Sequence, residues 1–354
     1  MTGAVRPLRR SEIRDPFAVW RPALLSRKLK KSPAEIKLFG REIVLFRGSD
    51  GRVYALNNRC PHRKMRLSQG HVDGCQIVCP YHGWRFSGEG AGVSPGTPGM
   101  KVSTESYEAS ERHGVVWVRE SGGTDEIPSF DFPGYRQAAL LYHPLHAPLR
   151  HLLDNMMELE HTASVHSLFG FDVSRLHEVT TSTTQKEDGI HIFYDGPQRK
   201  LPLYLRATSG IREGDRFVQY ADVKHSPVHA VYDLQWRDPK KSSLRGMELK
   251  FVIYFNELDP NQAEQFTFAY FKCDSEIRQS FFTLFRKVLA FNINRELSAD
   301  VKLVESLNLT PQHESSYRFG RFDKPLHMMR RMNAQLSETC TEAVGKEQPG
   351  VNSQ

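Results

Sequence analysis

Residues 60–84, CPHRKMRLSQGHVDGCQIVCPYHGW, decide how the rest of the chain is read. The stretch holds Cys60-x-His62, then 16 intervening residues, then Cys79-x-x-His82. Two thiolates and two imidazoles at this spacing can hold an inorganic centre. Each pair sits in a short loop, Cys60-Pro61-His62 and Cys79-Pro80-Tyr81-His82-Gly83-Trp84. Proline stiffens both loops, and Gly83 would let the backbone come close to a cofactor.

The mixing of ligands says which centre. Structural zinc also takes two Cys and two His, but zinc modules usually place Cys with Cys and His with His. Here each loop carries one of each. A Rieske [2Fe–2S] cluster needs this mixture, with two Cys on one iron and two neutral His on the other, which raises its reduction potential. The alternatives are a zinc site and four unrelated buried residues. The stretch resembles the Rieske signature of ring-hydroxylating and related oxygenases. The expected cluster ligands are therefore Cys60, His62, Cys79 and His82.

Composition sets the frame. The chain has 354 residues, 39% hydrophobic and 25% charged, with a net charge of +7. That is enough for two domains with a sizeable core. No run of about 18 apolar residues suggests a membrane span, and the first residues lack the apolar core of a secretion signal. The five cysteines are irregularly spaced and give no disulfide framework. The expectation is a cytoplasmic protein with neither nucleic acid nor membrane as partner. Arg63, Lys64 and Arg66, directly after His62, form a basic rim that could steer an acidic electron donor.

Taken in order, residues 1–16 read as a flexible leader. Residues 17–122 alternate polar and apolar in short segments, with an Asp50-Gly51 hairpin turn. They are expected to form a small all-β domain that presents the two cluster loops at one end. Residues 121–124 read as a linker. Residues 140–332 are expected to form a second, catalytic domain. In it, residues 151–168 read as a helix, residues 179–270 as antiparallel strands, and residues 275–308 as one long helix with Ile277, Phe281, Leu284 and Leu289 on its apolar face. Residues 333–354 read as a disordered tail. The fold class is α+β: an all-β cluster domain, then an antiparallel sheet wrapped around a long C-terminal helix, a helix-grip.

A second metal site is suggested by His161 and His166. Five residues overshoot a full helical turn, so the two imidazoles converge only where the helix ends or distorts. The β-branched Thr162 and Val165 make a distortion plausible. Two His and one carboxylate form the facial triad of non-haem Fe(II) oxygenases. Asp300 is the chosen carboxylate; Glu296, Glu305 and Asp154 are the other candidates.

At this point the resemblance extends to Rieske non-haem iron oxygenase α subunits. Two segments, LFGREIVLFRG and DVKLVES, are loosely similar to an arylamine N-oxygenating member. The family commonly has Asn-x-x-Asp-x-x-His before the first iron ligand. Asn155 and His161 match, while Glu158 stands at the acidic position. The resemblance implies that Glu158 bridges the iron-ligand His to a cluster His of a neighbouring subunit, and hence a head-to-tail homotrimer. It also implies a terminal oxygenase using O2 at a mononuclear Fe(II). NAD(P)H serves it indirectly, through a ferredoxin or flavin reductase that supplies electrons. The substrate is a small organic molecule, favoured to be aromatic or apolar, and the outcome hydroxylation, N-oxygenation or oxidative demethylation. Arg206 and Lys224 are basic residues that could meet an acidic group on it. The competing reading is a Rieske electron carrier without an oxygenase site.

Overall fold

The computed structural model describes residues 17–123, 125–307 and 316–332. The expected leader and tail lie outside the described residues. Among the described residues there are three antiparallel sheets, the five α-helices named below and a short helical segment at residues 324–332.

The N-terminal part contains β1 (Arg21–Leu25), β2 (Ala34–Leu38), β3 (Arg41–Arg47), β4 (Val53–Asn57), β5 (His71–Asp73), β6 (Gln76–Val78), β7 (Arg85–Ser87), β8 (Ala91–Val93), β9 (Val102–Ser103), β10 (Ser106–Arg112) and β11 (Val115–Arg119). One sheet runs β1-β11-β10-β4-β3-β2, and a second is the meander β5-β6-β7-β8-β9. Strand β3 shows how the sequence builds this unit. Its centre, Ile43, Val44, Leu45 and Phe46, is fully buried, and alternate residues face opposite sides of a strand. Ile43 and Leu45 join a core with Ala55 and Val116. Val44 and Phe46 join another with Cys60, Cys79 and Phe86. The thiols of the two loops are thus anchored in the second core. The 60–65 loop follows β4, and the 79–84 loop joins β6 to β7.

The second part begins with β12 (Arg136–Leu145), then α1 (Leu149–Met157), α2 (Glu160–Ser164), β13 (Thr180–Lys186), β14 (Gly189–Pro197), α3 (Leu203–Ser209), β15 (Arg216–His225), β16 (Val228–Arg237), β17 (Met247–Asp259), β18 (Gln262–Cys273), α4 (Glu276–Leu284) and α5 (Arg286–Ser306). Its seven strands run β12-β18-β17-β16-β15-β14-β13. Leu289, Ile293, Leu297, Val301 and Val304 of α5 pack into one core with Trp236, Leu249, Phe251 and Ile253 of the sheet. This is the sheet-on-helix arrangement expected. Each such fully buried side chain contributes about 1.5–3 kcal/mol.

Two helix expectations are corrected. Residues 151–168 are two short helices, because Glu158 is extended (φ −96°, ψ 156°) and breaks the run between α1 and α2. The 275–308 helix is broken at Phe285 (φ −93°, ψ 21°). Of the residues of its expected apolar face, Leu289 is buried, while Ile277 is 84% and Leu284 78% exposed and Phe281 is also exposed. The reason is that α4 turns Gln279 and Phe282 inward, with Phe282 against Phe271 of β18.

The two parts share a seam. Leu25, Trp117 and Phe130 pack with Tyr254, Phe266 and Phe268. Asn256 Nδ2 donates to the Pro22 carbonyl (2.7 Å) and to Glu264 Oε1 (2.9 Å). The Gly122 N–H donates to Glu108 (2.8 Å), so the segment read as a linker is tied to β10.

Candidate metal centres

The two cysteine loops are built alike. Cys60 N–H donates to the Met65 carbonyl and Cys79 N–H to that of Trp84, at 2.9 and 2.8 Å. Lys64 N–H returns to the Cys60 carbonyl and Gly83 N–H to that of Cys79. Both closing residues have positive φ, 59° at Lys64 and 70° at Gly83. A Cβ at position 83 would meet only Pro95 Cγ, at an ordinary contact distance of 3.8 Å, so glycine is suited there by its φ. Both cysteines are buried. Burial pushes the Cys60 thiol up to about 11, opposed by the amides of His62 and Arg63 and aided by the adjacent Cys79. A cation between the thiols would reverse that cost, because a bound metal takes the thiolate.

The imidazoles lie outside this core. His62 and His82 are exposed, with ring centroids 4.5 Å apart. Trp84 stacks on His62 at 4.6 Å, and Tyr81 lies 3.8 Å from His82. Desolvation, then the neighbouring His62 and Arg63, hold His82 below the usual histidine value. This favours the neutral imidazole, the form that ligates. Two buried thiols below two outward imidazoles fit a Rieske cluster's unequal ligand set. Of the expected basic rim, Arg66 is taken up by Glu35 and Glu42 (3.4 and 3.5 Å), leaving Arg63 and Lys64 exposed.

The second constellation spans α2, the residues after it and α5. His161 lies on α2, His166 just past its end, and Asp300 on α5. One ligand atom from each lies within 4.8 Å of the others. Asp300 Oδ1 is 2.9 Å from His166 Nε2 and 3.5 Å from His161 Nε2, and the rings stand at 85°. The helix ends between the histidines, which lets them converge. The His161 Nδ1 sits 2.5 Å from Glu158 Oε1, leaving Nε2 to face Asp300. Glu158 also accepts the His161 backbone N–H (3.2 Å). It reaches His161 from a helix break rather than across a helical turn. Burial works against a charged His166, but the Asp300 carboxylate beside it prevails and raises its pKa. A divalent metal would replace that proton. Two imidazoles and a carboxylate gathered at one point fit a facial triad.

The other candidates have different partners. Asp154 pairs with Arg330. Glu305 accepts the His146 N–H (2.8 Å). Glu296 accepts the N–H and hydroxyl of Ser167, both at 2.8 Å, and so pins the segment after His166. Asn155 is buried on α1, and its Nδ2 has no hydrogen-bond partner among the described residues. Arg206 pairs with Glu213 and Lys224 with Asp188, and neither lines the cavity at the triad. Two supporting residues escaped the sequence reading. Arg199 donates to the His166 carbonyl, and Tyr232 donates to the Met156 carbonyl at the end of α1 (2.8 Å). Both come from distant strands or loops and leave no local signal.

The triad opens onto a cavity of about 80 Å³, with apolar walls that include Phe169, Phe217, Leu234, Phe251, Ile253 and Leu297. Glu158, Glu296 and Asp300 also face it, and among the described residues no Lys or Arg does. Gln219 and Thr162 supply neutral polar groups, and Thr162 Oγ1 already donates to the Leu159 carbonyl.

Residues 19–108 match the Rieske [2Fe-2S] domain family. The chain's relatives include oxygenase components. It is 31% identical over 163 residues to the vanillate O-demethylase oxygenase subunit of Pseudomonas sp. (strain HR199 / DSM 7063), covering 43% of this chain and 45% of that one. It is 31% identical over 207 residues to the chloroplastic chlorophyllide a oxygenase of Arabidopsis thaliana, covering 54% of this chain and 37% of that one. The chain thus spans less than half the length of either relative. The crystal structure of dicamba monooxygenase bound to dicamba superposes with a TM-score of 0.75 at 18% identity, over 92% of this chain and 99% of that one. The fold is therefore shared along nearly the whole chain.

Proposed function

We propose that this protein is a terminal oxygenase that uses O2 and externally supplied electrons to oxygenate a small organic molecule. One observation carries the reading: a His-His-carboxylate triad at the wall of an apolar cavity, in a chain that also has a Rieske domain. Cys60, His62, Cys79 and His82 would hold the cluster, and His161, His166 and Asp300 a mononuclear Fe(II). The cluster supplies electrons and the Fe(II) supplies dioxygen activation.

The chain's own groups hold this arrangement in place. Glu158 fixes the tautomer of His161 by taking its Nδ1 proton in a hydrogen bond. Arg199 and Glu296 both hold the peptide group that joins His166 to Ser167. The apolar walls exclude water. Exposed His62 and His82 edges offer a contact to a ferredoxin or flavin reductase drawing on NAD(P)H, and to Glu158 of a neighbouring subunit in a homotrimer. Among the described residues no Lys or Arg lines the cavity to pair with a substrate carboxylate, while Glu158 and Glu296 do line it, which favours a neutral or amine substrate. The free Gln219 amide would orient one polar group on it.

The test is O2 consumption by the purified, reduced, iron-loaded protein with arylamines, methylated neutral aromatics and aromatic acids. Substrate-dependent uptake with the first two groups is expected, and His161→Ala should remove product while leaving the cluster spectrum intact. No uptake with any substrate, together with activity only as an electron carrier, would overturn the reading.

A further inference from the structure

We propose that one helical face, formed by α3, α4 and the first half of α5, is a peripheral docking surface for a lipid bilayer bearing anionic headgroups. On α4 and α5, Ile277, Phe281, Leu284, Phe285, Val288 and Phe291 are exposed. The largest exposures are 84% at Ile277, 78% at Leu284 and 66% at Phe291. The six recur mostly three or four residues apart, the spacing of one side of a helix. Hydrogen bonds from Phe285 N–H to Phe281 and from Leu289 N–H to Phe285 carry the helical path through the kink. The rings of Phe281 and Phe285 sit 4.7 Å apart on the surface. The inward side is different: Gln279, Phe282, Leu289 and Ile293 are buried.

Helix α3 also exposes large apolar side chains. Leu203 and Tyr204 are 73% and 54% exposed. Gly210, just past the end of α3, lies against the Arg278 guanidinium of α4. A soluble surface does not ordinarily gather this much large apolar side chain in one place.

Charge identifies the occupant. Residues 277–295 carry Arg278, Arg286, Lys287 and Arg295 and no acidic residue. Residues 199–212 carry Arg199, Lys200, Arg206 and Arg212, again with none. Arg278 and Arg206 are paired, to Asp274 and Glu213. Arg286, Lys287, Lys200 and Arg212 are exposed and have no ion pair among the described residues. Apolar and aromatic side chains between cations suit the boundary of headgroups and acyl chains, with the cations at the phosphates. A second copy joined face to face would bring the same cations together, whereas a head-to-tail copy would set a different surface here, a case that oligomer mass distinguishes. An acidic protein would answer the cations but leave the large apolar stripe to be explained. No described helix is long and apolar enough to cross a membrane, and a peripheral contact needs none. The inference does not rest on the oxygenase reading.

The experiment is co-sedimentation of the full chain with vesicles of phosphatidylcholine alone, or with about 30 mol % phosphatidylglycerol, at low and high salt. The expected result is binding at least about tenfold tighter to the anionic vesicles, weakened by salt. The double variants Leu284→Asp/Phe291→Asp and Arg286→Glu/Lys287→Glu should each lose at least about tenfold in vesicle binding. Their circular dichroism and visible spectrum should match the parent protein. Failure of the parent protein to pellet with either vesicle overturns the proposal, as do double variants that bind like the parent. A change in oligomer mass in Leu284→Asp/Phe291→Asp would assign the stripe to a second copy and overturn it too. So would loss, in both variants, of stoichiometric binding to an acidic electron donor.

Discussion

The two candidate centres are assembled in opposite ways. The cysteine loops lie within one short stretch, and each is closed by its own backbone hydrogen bonds. The triad joins His166 to Asp300 across 134 residues and relies on α5 lying against the large sheet. The first is a local motif seated in a small core. The second exists only once the whole second part has folded. The difference teaches where each should be vulnerable: the loops to loss of a ligand or a strained turn, the triad also to changes in side chains that merely hold its ligands.

The largest effects come from the ligands. Cys79→Ser should abolish the brown visible absorption and bring O2 uptake to background, while His161, His166 and Asp300 keep their fold. His166→Ala should cost more than about 10³-fold in uptake and leave the visible spectrum untouched. Loss of the cluster spectrum in His166→Ala would mean the two centres are not separable in this way.

Next comes a residue that works only through another. Glu158→Gln removes the carboxylate beside His161 Nδ1 without removing a triad member. Turnover is expected to fall roughly 10- to 100-fold, with the cluster spectrum intact and re-reduction after turnover slowed. Unchanged turnover would reduce Glu158 to a structural cap of α2.

The seam between the two regions gives a pH test. Burial raises Glu264 from the ordinary glutamate value of 4.5 to about 7, against the opposing hydrogen bonds from Asn256 and Tyr142. The folded state therefore binds a proton that the unfolded chain releases near 4.5. Stability should fall as pH rises from about 4.5 to about 7, by at most about 3 kcal/mol, and be flat above that. Glu264→Gln should flatten the profile in urea unfolding. A slope that survives the substitution would place its cause elsewhere.

The smallest effects come as a pair, one from each region. Gly83→Ala forces an alanine to φ 70° and should cost about 1 kcal/mol. Tyr232→Phe removes the donor to the Met156 carbonyl and should also cost about 1 kcal/mol. Thermal unfolding followed at the cluster absorption and by circular dichroism should show the first change mainly in the loops and the second mainly in the large sheet.

What the sequence disclosed follows the same division. The ligand pattern at 60–84 was legible because its chemistry is contained in its spacing. The strands were legible because alternation reports a half-buried sheet, as in β2 and β4. The histidine pair needed a helix end, and the sequence showed only residues that make one plausible. The apolar spacing of Ile277, Phe281 and Leu284 was legible but not its exposure, because periodicity marks one side of a helix without saying what covers it. Arg199, Glu296 and Tyr232 act across long sequence separations, where no spacing rule reaches.

Iron and acid-labile sulfide counted per chain, in the parent protein and in His161→Ala, test the central claim most directly. Two separate centres on one chain predict about three irons and two sulfides in the parent, and about two of each in the variant, with the same visible spectrum. Two irons in both proteins, or sulfide lost together with the imidazole, would contradict it.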